Sequence, residues 1–105
     1  MTTFKLIIQD KSSENKIFGG FEVSGHAMKR DTGKDILCAA ISSACYMTAN
    51  TITDILGIPA DITISDGFMR VIVSDQSEKC EWLLEGLALH MEGLRQEYPR
   101  NIQIN

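Results

Sequence analysis

DILCAAISSACYMTANTITDILGIPADITISDGFMRVIVS, residues 35–74, holds a helix, its stop signal and a β-hairpin in one run. Leu37, Ile41, Ala44, Thr48, Ile52 and Ile55 recur at steps of three and four, the buried stripe of an amphipathic helix that opens at Asp35 and reaches about Leu56. Gly57 followed by Pro59 stops it. The period then changes to two. Residues 61–65 and 68–74 read as strands around Asp66-Gly67, the dipeptide that a type I′ turn prefers.

Upstream, residues 3–9 read as a strand with Phe4, Leu6 and Ile8 on one face, and 11–15 as a turn. Residues 16–24 read as a second strand, in which Gly19-Gly20 marks a bulge or a close approach of another backbone. Downstream, Asp75 and Glu78 resemble a capping box, and a second helix runs to about Tyr98 with the stripe Cys80, Leu83, Leu84, Leu87, Met91 and Leu94. Pro99 ends it, and the alternation over 101–105 adds a last strand. The order is ββα-ββα-β over a single domain, residues 1–105. Two helices each need a sheet to cover, so the expected fold is α+β: a two-layer α/β sandwich on a mainly antiparallel sheet. Gly86 and Gly93 each cost roughly 1 kcal/mol against alanine inside a helix. They share one face, and the first helix is rich in small residues, which implies a close approach of helix backbones within one chain or across a dimer.

At 105 residues the chain supports one core, and 44% hydrophobic with 23% charged residues is ordinary for a globular domain. A net charge of −4 makes a poor partner for phosphate backbones, so direct nucleic-acid binding is not expected. No run approaches roughly 18 continuous apolar residues, and the first ten residues lack a signal-peptide layout, which reads as cytoplasmic with no membrane contact. Three cysteines, none in a C-x-x-C pair, give no zinc or thioredoxin motif, and no metal or cofactor is expected.

The chemistry concentrates in GHAMKRDTGKDILCAAIS, residues 25–42. Cys38 falls in the first turn of the helix, where the macrodipole favours thiolate over thiol. His26 directly follows an apparent strand and a glycine, twelve residues before Cys38, and a loop of that length can fold back. A thiol and an imidazole in reach are the minimal equipment of a cysteine nucleophile and its base. Cys38 is rotated about 100° from Leu37 and shares a strip with Ser42 and Cys45, which reads as a helix flank facing a cleft. Asp35 has two competing roles: N-cap of the helix, or the group that orients His26. Asp31 is a second candidate for orienting. The loop from Gly25 through Gly33 to Lys34 has few apolar anchors, so it is expected to be mobile without substrate. Cys80 reads as core, Cys45 as a packed flank residue and His90 as structural.

Gly25-His26, Gly33, Asp35-Ile36, Cys38-Ala39-Ala40 and Ser42 resemble the signature of the Prp family of ribosomal-processing cysteine proteases. Leu37 and Ile41 stand where that pattern usually has valine. The resemblance implies a small cytosolic homodimer that removes a short N-terminal extension from a precursor of the twenty-seventh large-subunit ribosomal protein. It implies Cys38 as nucleophile and His26 as base, and a loop between them that orders around the substrate peptide. Two other readings stay open on the residues alone: a non-catalytic ribosome-associated binding module, and a redox-sensing thiol.

Overall fold

The computed structural model describes residues 1–10, 17–25, 36–74 and 78–105. Its elements in chain order are β1 (Thr2–Asp10), β2 (Ile17–Gly25), α1 (Ile36–Asn50), β3 (Ala60–Ser65), β4 (Phe68–Val73), α2 (Glu78–Glu97) and β5 (Ile102–Ile104). The strands form one sheet in the order β3-β4-β2-β1-β5. All pairs are antiparallel except β5 with β1, which is parallel. The expected α+β sandwich is therefore the fold, with the terminal strand making the sheet mixed. The shortest principal extent, 18 Å, is that of two stacked layers.

The layers follow from alternation. Phe4, Phe21, Val23, Met69 and Val71 are buried beneath the helices. Their strand neighbours Lys5, Glu22 and Arg70 stand in one cross-strand row on the other face, since successive strand residues point to opposite sides. Arg70 Nε donates to Glu22 Oε1 at 2.8 Å, and Lys5 Nζ lies 3.5 Å from Glu22 Oε2. Exposed pairs of this kind contribute about 1 kcal/mol or less. The apolar row does more: burying a Phe or Val side chain contributes roughly 1.5–3 kcal/mol.

Gly19-Gly20 does both things that the sequence allows. Ile7 pairs with Gly20 and Ile8 with Phe18, so Gly19 is the extra residue of a bulge. At Gly20, φ is +154° and an added Cβ would lie 1.9 Å from the Val71 carbonyl oxygen. Asp66-Gly67 turns differently from expectation. Gly67 alone carries positive φ (81°) and Asp66 does not, which excludes type I′ and matches the φ signs of type II. Glycine takes that conformation without the steric penalty that aspartate would meet.

The first helix continues as a π-helical turn over Thr51–Ile55. The Leu56 N–H donates to Thr51 O at 2.8 Å and the Ile58 N–H to Ile52 O at 2.9 Å, each one residue wider than in an ordinary helix end. Thr48, Thr51 and Thr53 hydroxyls donate to the carbonyls of Ala44, Met47 and Ala49, competing with the helical ladder just where it widens. The wider turn rotates less per residue, so Ile55 leaves the buried stripe and is 77% exposed, against expectation. α1 with this turn has the length and apolar composition of a membrane-crossing helix, and its buried row is part of the protein core.

On α2, Cys80, Leu84, Leu87 and Met91 are buried as the periodicity predicts. Asp75, the proposed cap, lies outside the described residues. Among the described residues nothing lies within 4 Å of a Cβ added at Gly86 or Gly93, so α1 and α2 do not make the close approach that these glycines suggested.

Candidate active site

β2 and β3 point the same way, because each pairs antiparallel with β4. α1 connects them, so it starts at the Gly25 end of the sheet and finishes at the opposite end, where β3 begins. The first turn of α1 and the end of β2 therefore share one end of the molecule. Gly25 is fixed there from two sides. Its N–H donates to Gly67 O at 2.9 Å, and with φ at +119° an added Cβ would come within 2.3 Å of the Met1 carbonyl oxygen. The residue before His26 is thus wedged between the starts of β1 and β4, where no larger residue fits.

Cys38 is the third residue of α1, and the first turn of that helix carries no acidic side chain. The dipole end that favours a thiolate is unopposed within the helix. Cys38 differs from expectation in burial. It is 5% exposed and belongs to the core cluster, as does Cys45 at 0%. The buried arc of α1 is wider than the six-residue stripe and takes in the strip that reads as a cleft-facing flank. Ser42 on the same strip is half-buried.

The other two thiols are set apart by their surroundings. All three cysteines are reduced. Burial pushes the Cys45 thiol up to about 12, and burial followed by the Glu81 charge raises that of Cys80. Both stay protonated at neutral pH and are poor nucleophiles. His90 is exposed and lines a groove of about 630 Å³ between α1 and α2, with Ala40, Met47, Trp82 and Gly86. Ala40 is about 160° from Cys38 around the helix axis, so His90 borders the opposite flank.

His26, Asp31, Gly33, Lys34 and Asp35, and with them the expectation of a mobile loop, lie outside the described residues. Of the residues proposed for the site, Gly25, Cys38 and Ser42 are described. The sequence reading passes over Ile62 and Ile64. They stand 39% and 47% exposed on β3, the strand that follows the first helical run.

A family model described as cysteine protease Prp matches residues 1–103. The chain belongs to the Prp family of cysteine proteases. It is accordingly a peptide hydrolase. The ribosomal processing cysteine protease Prp of Bacillus subtilis (strain 168) is 24% identical over 101 residues, covering 90% of each chain. That of Staphylococcus aureus (strain NCTC 8325 / PS 47) is 23% identical and covers 100% of this chain and 98% of its own. The fold agrees with crystal structures of the S. aureus Prp in complex with a covalently linked product peptide and with a substrate peptide. Both have a TM-score of 0.83, at 23% and 21% identity, over 100% of this chain and 98% of the other.

Proposed function

We propose that this Prp-family protease removes the N-terminal extension of the twenty-seventh large-subunit ribosomal protein in the cytoplasm, with Cys38 as nucleophile and His26 as base. The observation that carries the reading is the family match over residues 1–103, joined to a cysteine in the first turn of a helix that starts where β2 ends. Relatives named as ribosomal processing proteases support the substrate class. The acidic net charge of −4 suits a basic ribosomal substrate by steering encounter.

In this mechanism His26 takes the thiol proton and the Cys38 sulfur attacks the scissile carbonyl carbon. The tetrahedral oxyanion collapses to a thioester as His26 returns the proton to the leaving amine. Water, deprotonated by His26, adds to the thioester, and the new acid leaves as Cys38 regains its proton. Backbone N–H groups at the start of α1 are suited to the oxyanion, because the first four amides of a helix lack intrahelical acceptors. Asp35 either caps α1 or orients His26.

The protein acts as a homodimer in this reading. From Ile36 to Thr53 there is no charged residue, yet Met47, Trp82 and Leu89 are exposed on the helical layer. An apolar helix flank of this kind needs covering, and the open space above Gly86 and Gly93 gives a partner helix room to approach.

The test is to incubate the protein with an N-terminally extended precursor and weigh the products. Wild type releases one short N-terminal peptide, and Cys38→Ala releases none while keeping its circular-dichroism spectrum. Equal cleavage by the two proteins overturns the mechanism, and an intact precursor with wild type overturns the substrate.

A further inference from the structure

β3 ends the sheet order, so one of its edges pairs with β4 and the other with no described strand. The register decides which backbone groups face that edge. The Ser74 N–H donates to Pro59 O at 2.9 Å, and the Gly25 N–H donates to Gly67 O across the other side of β4. In an antiparallel ladder the bonded pairs alternate. Pro59–Ser74 is a bonded pair, so Asp61, Thr63 and Ser65 bond to β4 as well. Ala60, Ile62 and Ile64 therefore turn their N–H and C=O outward. The side chains of Ile62 and Ile64 lie on the helix face, because they stand opposite Val71 and Met69, which are buried there.

The helical layer does not reach over them. α2 packs on β1, β2 and β5, which leaves α1 on the β4 side. Ala40, Ala44 and Met47 border the groove with α2. At about 100° per residue, the flank of α1 turned away from α2 is that of Cys38, Ser42 and Tyr46. It looks toward β3, with Ile62 and Ile64 forming the floor beside it. β3 also runs toward the end of the sheet where α1 begins, since Ser65, Phe68 and Ser24 share one row.

We propose that the outer edge of β3 is the docking strand for the substrate: an extended peptide adds to the sheet through the outward N–H and C=O groups of Ile62 and Ile64, and an apolar side chain of that peptide rests between Ile64 and the Cys38-bearing flank of α1. This rests on the protease reading above. Three features select an extended peptide as the occupant. The edge offers main-chain groups at strand spacing, which only an extended chain matches. The apolar floor lies on the same face of the sheet as the core that Cys38 joins, since Ile62 and Ile64 stand opposite Val71 and Met69 of that core. Every residue from 62 to 65 is uncharged, and the one charge on β3, Asp61, lies on the face opposite Ile62 and Ile64.

The experiment measures steady-state cleavage of a fluorescent peptide spanning the extension junction of the twenty-seventh large-subunit ribosomal protein, together with light scattering of each enzyme. In Ile64→Pro an outward N–H is removed without touching the β4 ladder, a change that edge strands tolerate. KM rises about five- to tenfold with kcat nearly unchanged, as expected for the loss of a hydrogen bond and an apolar contact. Ile64→Ala keeps the N–H and raises KM less. Thr63→Ala, whose side chain lies on the opposite face, cleaves as wild type does. A second series needs no enzyme variant: single backbone N-methyl groups walked along the peptide weaken binding to the Cys38→Ala protein at every other position. Wild-type cleavage with unchanged KM in Ile64→Pro and no two-residue period overturns the docking strand alone. An Ile64→Pro enzyme that becomes monomeric with unaltered KM assigns the edge to a second copy and also overturns it. Absence of cleavage by wild type overturns the protease reading and this inference with it.

Discussion

Cys38, Cys45 and Cys80 share one side-chain chemistry and differ in surroundings. Cys45 is enclosed by the core, and burial holds its thiol at about 12. The folded state thus keeps a proton that the unfolded chain releases near the ordinary value of 9.0. Protons bound by the folded state exceed those of the unfolded state between these values, so stability falls as pH rises above 9. The slope approaches about 1.4 kcal/mol per pH unit for one such group. Urea unfolding at a series of alkaline pH values should show a shallower decline for Cys45→Ala than for wild type, and equal slopes would deny that Cys45 is buried as described. Sequence alone separates these thiols only in part. Cys80 sits on the α2 stripe and is legible as core. Cys38 and Cys45 lie off the α1 stripe, and their burial depends on how wide an arc the sheet covers, which periodicity does not encode.

At the scale of elements, the helices and strands were legible because their periods are clean and their stops are chemical. Gly57, with φ at +67°, ends the first helical run as the sequence predicts. The failures have local causes. Ile55 leaves the buried stripe because threonine hydroxyls compete for the carbonyls feeding the π turn. The hairpin turn departs from type I′ because glycine alone takes the positive φ. The Gly19-Gly20 bulge was readable, and the geometry makes it a strong constraint. Gly20→Ala would bring a methyl group to 1.9 Å from the Val71 carbonyl oxygen and break β2–β4 pairing. We expect a loss of about 2 kcal/mol or more, judged against the cost of strained backbone at one residue, and measured by thermal unfolding. Gly86→Ala meets nothing within 4 Å among the described residues and serves as the contrasting case.

At the scale of the whole molecule, one face of the sheet is solvated and the helical layer keeps an apolar surface. The strand order that exposes β3 could not be read from the chain, because alternation says which face is apolar and not which strand ends the sheet. The groove between α1 and α2 was equally hidden: small residues were visible, but not whether a helix of the same chain fills the space above them. If a second copy covers this surface, Trp82→Glu places a charge in the interface. The variant should sediment as a monomer at concentrations where wild type is a dimer, with its circular-dichroism spectrum intact. Equal sedimentation of both proteins as dimers would move the interface elsewhere.

The proposed mechanism turns on Cys38 forming a covalent bond to the substrate carbonyl. Acid-quenched mixing of enzyme with the extended precursor, followed by intact mass and peptide mapping, reads that bond directly. The expected result is a transient enzyme species heavier by the mass of the N-terminal extension acyl group, mapped to Cys38. The adduct should be absent in Cys38→Ala and accumulate about 10²–10⁴-fold more slowly in His26→Ala, the usual scale of general-base catalysis. An adduct on Cys45 or Cys80, or full cleavage with no dependence on Cys38, would contradict it.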